Sequence, residues 1–158
     1  MELDDALLDD VDALMAADTR QLLPMTASAG ASIRAAASLV TPEAIARVVD
    51  DGRPHAVVVV GGGGSRAAGD ILAAVAGSGS PVPVMTFGGP SLPGWVGPTD
   101  LVVAVSGSGR TPETLEVAAE AARRGCRLLV VSPDRTPLSY LADQTRGAVS
   151  VGVGIPTV

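Results

Sequence analysis

The chain has 158 residues, about one domain's worth, with 17 acidic and 11 basic side chains and a formal charge of −6. All 11 bases are arginine, which excludes lysine Schiff-base chemistry and the lysine of a Walker A loop. One His and one Cys exclude a Cys/His zinc site and an internal disulfide, and a net negative charge without a basic run argues against a nucleic-acid partner.

Residues 3–16 set Leu3, Ala6, Leu7, Val11, Leu14 and Met15 at helical spacing, with Asp4, Asp5, Asp9 and Asp12 elsewhere. This predicts an amphipathic helix with a solvated acidic face. A second helix is predicted within 26–39, and a third over 42–51 with Thr41 as N-cap and Pro42 at its first position. Residues 1–53 hold ten acids and four arginines, so they carry the whole −6. Residues 54–158 hold seven of each and are neutral. The expected division is an N-terminal helical segment, 1–53, and a second domain, 54–158. No run approaches the roughly 18 apolar residues of a membrane span. The N-terminus opens with acids rather than a positive n-region. The expectation is a soluble, cytoplasmic protein.

From residue 56 the pattern changes. Ala56–Val60, Val82–Thr86, Leu101–Val105, Leu128–Val131 and Ala148–Val151 are short, β-branched, unalternating runs. Such runs predict strands buried on both faces. Helical spacing lies between them at 65–76, 112–124 and about 136–144, with Gly125 placed to end the second of these. Residues 87–99 are Gly/Pro-rich and predict a loop, long enough for a lid, with Trp95 plugging the domain edge or a dimer contact. Cys126, just before a strand, is expected to be structural. Strands alternating with helices predict a five-stranded, doubly wound parallel α/β sheet.

Two loops carry the chemistry. Gly61-Gly62-Gly63-Gly64-Ser65 follows the first strand and precedes a helix. Ser106-Gly107-Ser108-Gly109-Arg110-Thr111-Pro112 does the same after the third, with Thr111 at an N-cap position. Each offers glycine backbone, hydroxyl groups and a helix N-terminus, which are the parts of an anion site. Each also holds an arginine, Arg66 or Arg110, as a possible auxiliary. In the flavodoxin-like order 2-1-3-4-5 the sheet reverses between strands 1 and 3, and ligands sit outside the carboxyl ends there. One phosphate between two helix N-termini follows.

Competing motifs fail on specifics. Gly62-x-Gly64-x-x-Ala67 imitates a dinucleotide fingerprint but lacks an acid about 20 residues on. Gly63-x-Ser65-x-Ala67 imitates a nucleophile elbow, but His55, the only His, precedes strand 1 at the opposite end of the sheet.

These residues resemble a known family. Ser106-x-Ser108-Gly109-x-Thr111 is similar to the signature of the sugar isomerase (SIS) domain, a flavodoxin-like fold that binds phosphosugars. The details resemble most the bifunctional phosphoglucose/phosphomannose isomerases. Their first loop, Gly-Met-Gly-Gly-Ser with a later Gly-Asp, is matched by Gly61, Gly63, Gly64, Ser65, Gly69 and Asp70, with Gly62 in place of Met. Pro93-Gly94-Trp95 is similar to their Pro-x-Trp. Of their Ser-Tyr-Ser-Gly-Asn-Thr-Glu-Glu-Thr loop, Ser106, Ser108, Gly109, Thr111, Glu113 and Thr114 match, while Gly107, Arg110 and Pro112 depart. The resemblance spans about 56–151.

The resemblance implies that Ser65, Ser106, Ser108 and Thr111 hold the substrate phosphate with the Gly63 and Gly64 backbone and Gly109. It implies a hexose phosphate ligand, a homodimer, no cofactor and no metal. Such enzymes carry two SIS domains per chain, with the isomerising Glu and ring-opening His in the second. This chain stops near the end of the first, so the second half is expected in cis or in trans. Their Pro-Arg after the fifth strand reads Pro156-Thr157 here. The base candidates are Glu113 and Glu116, on the helix just beyond the phosphate loop, and Glu113 is read first as complementing that helix's N-terminal dipole. No catalytic pair is identified. Two functions are expected: the phosphate-binding half of an aldose–ketose isomerase, or a catalytically silent phosphosugar sensor or structural SIS domain.

Overall fold

The computed structural model describes residues 9–50 and 52–153. The predicted helical positions 3–8 and the Pro156-Thr157 pair lie outside them. The chain divides into two compact units, Met1–Ala37 and Ser38–Val158.

In the first unit, α1 (Val11–Ala17) is capped by Asp10, whose carboxylate accepts from the Ala13 N–H at 3.0 Å. Helix α2 (Leu22–Leu39) begins four residues before its predicted start. The reason is Asp18, whose carboxylate accepts from the Leu22 and Leu23 N–H groups, both at 2.8 Å. Pro24 falls in the first turn, where its missing N–H costs nothing.

The second unit opens with α3 (Pro42–Val49), where the Thr41 hydroxyl accepts from Ala44 N–H at 3.2 Å. Five strands follow: β1 (Val57–Gly61), β2 (Val84–Phe87), β3 (Leu101–Val105), β4 (Arg127–Ser132) and β5 (Val149–Gly152). All neighbours pair in parallel, in the order β2-β1-β3-β4-β5. This is the expected flavodoxin-like, doubly wound sheet. β2 starts later than predicted because Pro83 has no N–H; its carbonyl instead accepts from Val57 at 2.9 Å.

Three helices connect the strands: α4 (Arg66–Ala76), α5 (Pro112–Arg123) and α6 (Pro137–Gln144). Val58, Val60, Val102, Ala104, Leu128 and Val130 share one face and form the core with Val117, Ala118 and Ala121 of α5 and Leu138 and Ala142 of α6. α4 packs on β1 and β2 from the other face, and α3 packs on β4 and β5. Burial on both faces holds only for the central strands β1 and β3. β4 alternates, because α5 and α6 cover one face and only the eight-residue α3 touches the other; the edge strand β2 has no fully buried residue. Gly125 ends α5 as expected, its N–H bonding Ala122 C=O and that of Cys126 bonding Ala121 C=O.

The 87–99 loop is not a free lid. Arg124 donates to the carbonyls of Pro93, Val96 and Leu92 at 2.7, 3.1 and 3.2 Å. Glu120 pairs with Arg124 at 2.6 Å and accepts from the Leu92 N–H at 2.9 Å. That hydrogen bond, with the Arg124 guanidinium, holds the Glu120 carboxyl below the usual carboxylate range against partial desolvation. Leu92 and Val96, not Trp95, plug the domain edge; Trp95 is 55% exposed.

Candidate functional site

The two Gly/Ser loops lie at the carboxyl ends of adjacent strands, β1 and β3, whose last residues Gly61 and Val105 are register partners. The first loop closes into a short 3₁₀ turn, Gly63–Ser65, that runs directly into α4. The second turns through Ser106–Arg110 into α5. The loops touch: the Gly107 N–H donates to Ser65 Oγ at 3.4 Å, and a Cβ on Gly62 would lie 3.1 Å from Thr111 Cγ2.

Three hydroxyls converge inside the second loop. Ser106, only 1% exposed, places its Oγ 3.0 Å from Thr111 Oγ1 and 3.4 Å from Ser108 Oγ. Ser106 Oγ also accepts from the Gly109 N–H at 3.0 Å, and Ser108 Oγ from Arg110 N–H at 3.2 Å. Gly109 has φ +62°, and a Cβ there would strike the Thr136 hydroxyl, so the turn needs glycine. Its carbonyl accepts from the Leu138 N–H at 3.1 Å, tying the loop to the start of α6.

Thr111 stands at the N-cap position, but its side chain does not cap α5. The hydroxyl is drawn to Ser106 instead. The first-turn N–H groups of α5 are left without that side-chain acceptor, as are those of the Gly63–Ser65 turn, where Gly62 has no side chain to offer. Two open helix N-termini and a hydroxyl cluster make a place for a compact anion.

The auxiliary residues separate. Arg66 turns toward the end of β2, where a Cβ on Gly88 would meet its guanidinium at 2.6 Å. Arg110 is exposed, and neither arginine forms an ion pair among the described residues. Glu113 lines a cavity of about 270 Å³ beside the loops, whereas Glu116 does not. His55 is exposed at the opposite end of β1, its N–H bonded to Thr99 C=O at 2.9 Å. Among the described residues no group of three or more His, Cys, Asp or Glu is placed to hold a metal ion. No described helix is long and apolar enough to cross a membrane.

The cavity has a wall that the motifs do not announce. Phe87, Gly88 and Gly89 line it together with Thr114 and Val117 of α5. A Cβ on Gly89 would meet the tip of the Phe87 ring at 2.5 Å, so a side chain there would require that ring to shift. A Gly-Gly pair directly after a strand is the signal for this wall. Asp70 stands apart from the cavity, accepting from the Thr86 hydroxyl at 2.7 Å to tie α4 to β2.

No curated protein matches the sequence. Among solved structures, the chain is similar to the NanR protein of Vibrio vulnificus complexed with ManNAc-6P (22% identity, TM-score 0.65, 91% of this chain and 56% of that one). It is similar to the sugar isomerase domain of the RpiR transcription factor from Sphaerobacter thermophilus (23%, 0.65, 87% and 78%). It is also similar to phosphoheptose isomerase GmhA from Neisseria gonorrhoeae (15%, 0.61, 88% of each chain). The chain thus spans little more than half the length of the NanR chain. At these identities the shared property is the fold. The family model of the SIS domain matches residues 53–147, more than half of the sequence. The chain belongs to the SIS domain family.

Proposed function

We propose that this chain is the phosphosugar-binding domain of a glucose-6-phosphate/mannose-6-phosphate isomerase-like protein. Gly63, Gly64, Ser65, Ser106, Ser108, Gly109 and Thr111 hold the phosphate. The observation that carries this reading is the hydroxyl cluster of Ser106, Ser108 and Thr111, joined to Ser65 through Gly107 between two uncapped helix N-termini. Neutral hydroxyls and backbone N–H groups suit a phosphate in a chain without lysine. Family membership supports it, as does the ManNAc-6P carried by the NanR structure.

Isomerisation requires a positioned base. Among the described residues Glu113 is the only carboxylate lining the cavity, and His55 lies at the opposite end of the sheet. On this reading the catalytic groups come from a second SIS domain, in cis or in trans. A second reading, a sensor that binds phosphosugar without turnover, is favoured by the departures at Gly107 and Arg110 and by the missing acid–base pair. The likeness to the RpiR transcription factor is compatible with it.

The chain works in the cytoplasm as a homodimer, without cofactor, nucleic-acid or membrane partner. Ile71 and Val75 of α4, 64% and 79% exposed, supply an apolar face for a second copy, and Trp95 is a further contact. A monomer by light scattering at micromolar concentration removes the dimer.

The test is a thermal-shift and coupled-isomerase experiment with glucose, fructose and mannose 6-phosphates. A rise in Tm with hexose phosphate, and none with NAD, is expected. No shift with any phosphosugar overturns the reading. Binding without turnover, alone and with any downstream segment, leaves the sensor.

A further inference from the structure

The phosphate loops leave open which way the rest of the ligand runs. Thr114 bears on this. It is 3% exposed, lines the cavity together with Phe87, Gly88 and Gly89, and its buried Oγ1 has no hydrogen-bond partner. A buried hydroxyl without a partner costs free energy that an apolar residue of the same shape would avoid. Valine has that shape. Threonine in a helix has two χ1 rotamers of comparable standing, so the hydroxyl can turn within its site.

The remaining walls suit a sugar. Phe87 presents part-exposed apolar surface for its C–H face, with the nearly buried Val60 and Val117 behind the lining. Glu113 presents a carboxylate that accepts from hydroxyls. The Arg66 guanidinium lies beside Gly88, which is itself one of the lining residues. Thr111 and Gly63 belong both to the phosphate loops and to the cavity, so the two are continuous.

We infer that the polyhydroxy end of the phosphosugar enters this cavity, and that Thr114 is a specificity-determining residue whose hydroxyl bonds a sugar hydroxyl. The inference rests on the phosphosugar reading above. It places the sugar on the β2 side of the phosphate loops.

Thr114→Val and Thr114→Ser separate it from its alternatives, with inorganic phosphate and fructose 6-phosphate as probes in calorimetric titrations of the whole chain. In Thr114→Val, phosphate affinity is expected to stay within about twofold of wild type, while fructose 6-phosphate affinity falls about tenfold. Thr114→Ser, which keeps the hydroxyl, is expected to retain most of the sugar affinity. Equal sugar affinity in wild type and Thr114→Val overturns the inference. So does a parallel loss of both ligands, which assigns Thr114 to the packing of the loop. If wild type binds phosphate as tightly as fructose 6-phosphate, the cavity contributes nothing and the inference fails while the anion site stands. If wild type binds neither, the phosphosugar reading itself fails.

Discussion

Ser65 Oγ accepts the backbone N–H of Gly107 at 3.4 Å, across 42 positions of sequence. This one bond joins the loops that follow β1 and β3. It places a hydroxyl of the first loop beside the serine cluster of the second, and the proposed phosphate site is built around that junction.

Ser106→Ala together with Thr111→Ala removes two of the three clustered hydroxyls. The expected result is loss of the fructose 6-phosphate Tm shift, with the circular dichroism of the α/β fold retained. Unchanged binding in the double variant refutes the site.

Gly109→Ala places a Cβ at φ +62° and against Thr136. Destabilisation of about 1–3 kcal/mol is expected, because both the backbone conformation and the packing oppose it. Urea unfolding measures it. A neutral result removes the argument that this turn requires glycine.

Arg124→Ala strips three carbonyl contacts from the Leu92–Val96 segment and leaves Glu120 without its cation. A loss of about 2 kcal/mol is expected, since charge-assisted hydrogen bonds exceed neutral ones and these are partly solvated. Limited proteolysis should cut first within 87–99. An unchanged cleavage pattern shows that the loop is held by Leu92 and Val96 alone.

Glu120 adds a pH dependence. Its folded pKa is depressed, chiefly by the Leu92 N–H and then by Arg124. Its contribution is therefore present above the ordinary carboxylate pKa and lost as pH falls through the lower folded value. Glu120→Gln should flatten the acid side of the stability profile relative to wild type. Parallel profiles would mean that the carboxylate titrates alike in the folded and unfolded chains.

Cys126 is buried, and desolvation, with Asp100 adding to it, pushes its thiol pKa up. Thiol reagents at neutral pH should modify it only as fast as the chain unfolds. Rapid modification under native conditions would show that the end of α5 opens locally.

Most of the fold is legible in the sequence because its signals are local. Unalternating valine runs mark strands, and Pro42 and Pro112 mark helix starts. Where local signals compete, the reading drifts. The Asp18 carboxylate starts α2 early from outside the helix, and Pro83 delays β2. Burial is harder still: the valines and leucines of β4 resemble those of β1 and β3, yet half of them are less covered, because helix placement is not written in the strand.

The sequence by itself determined the parallel α/β class, the two Gly/Ser loops and their place at a strand–helix junction, since each depends on residues within one turn of chain. Only the tertiary structure decided where the side chains point. It turned Thr111 toward Ser106 rather than onto its own helix, swung Arg66 to Gly88, and pinned the 87–99 loop on Arg124. It also brought Thr114 and Phe87 to the lining of one cavity, made from residues that no local pattern connects. These outcomes depend on contacts between distant segments, which exist only once the sheet has brought β1, β2 and β3 side by side.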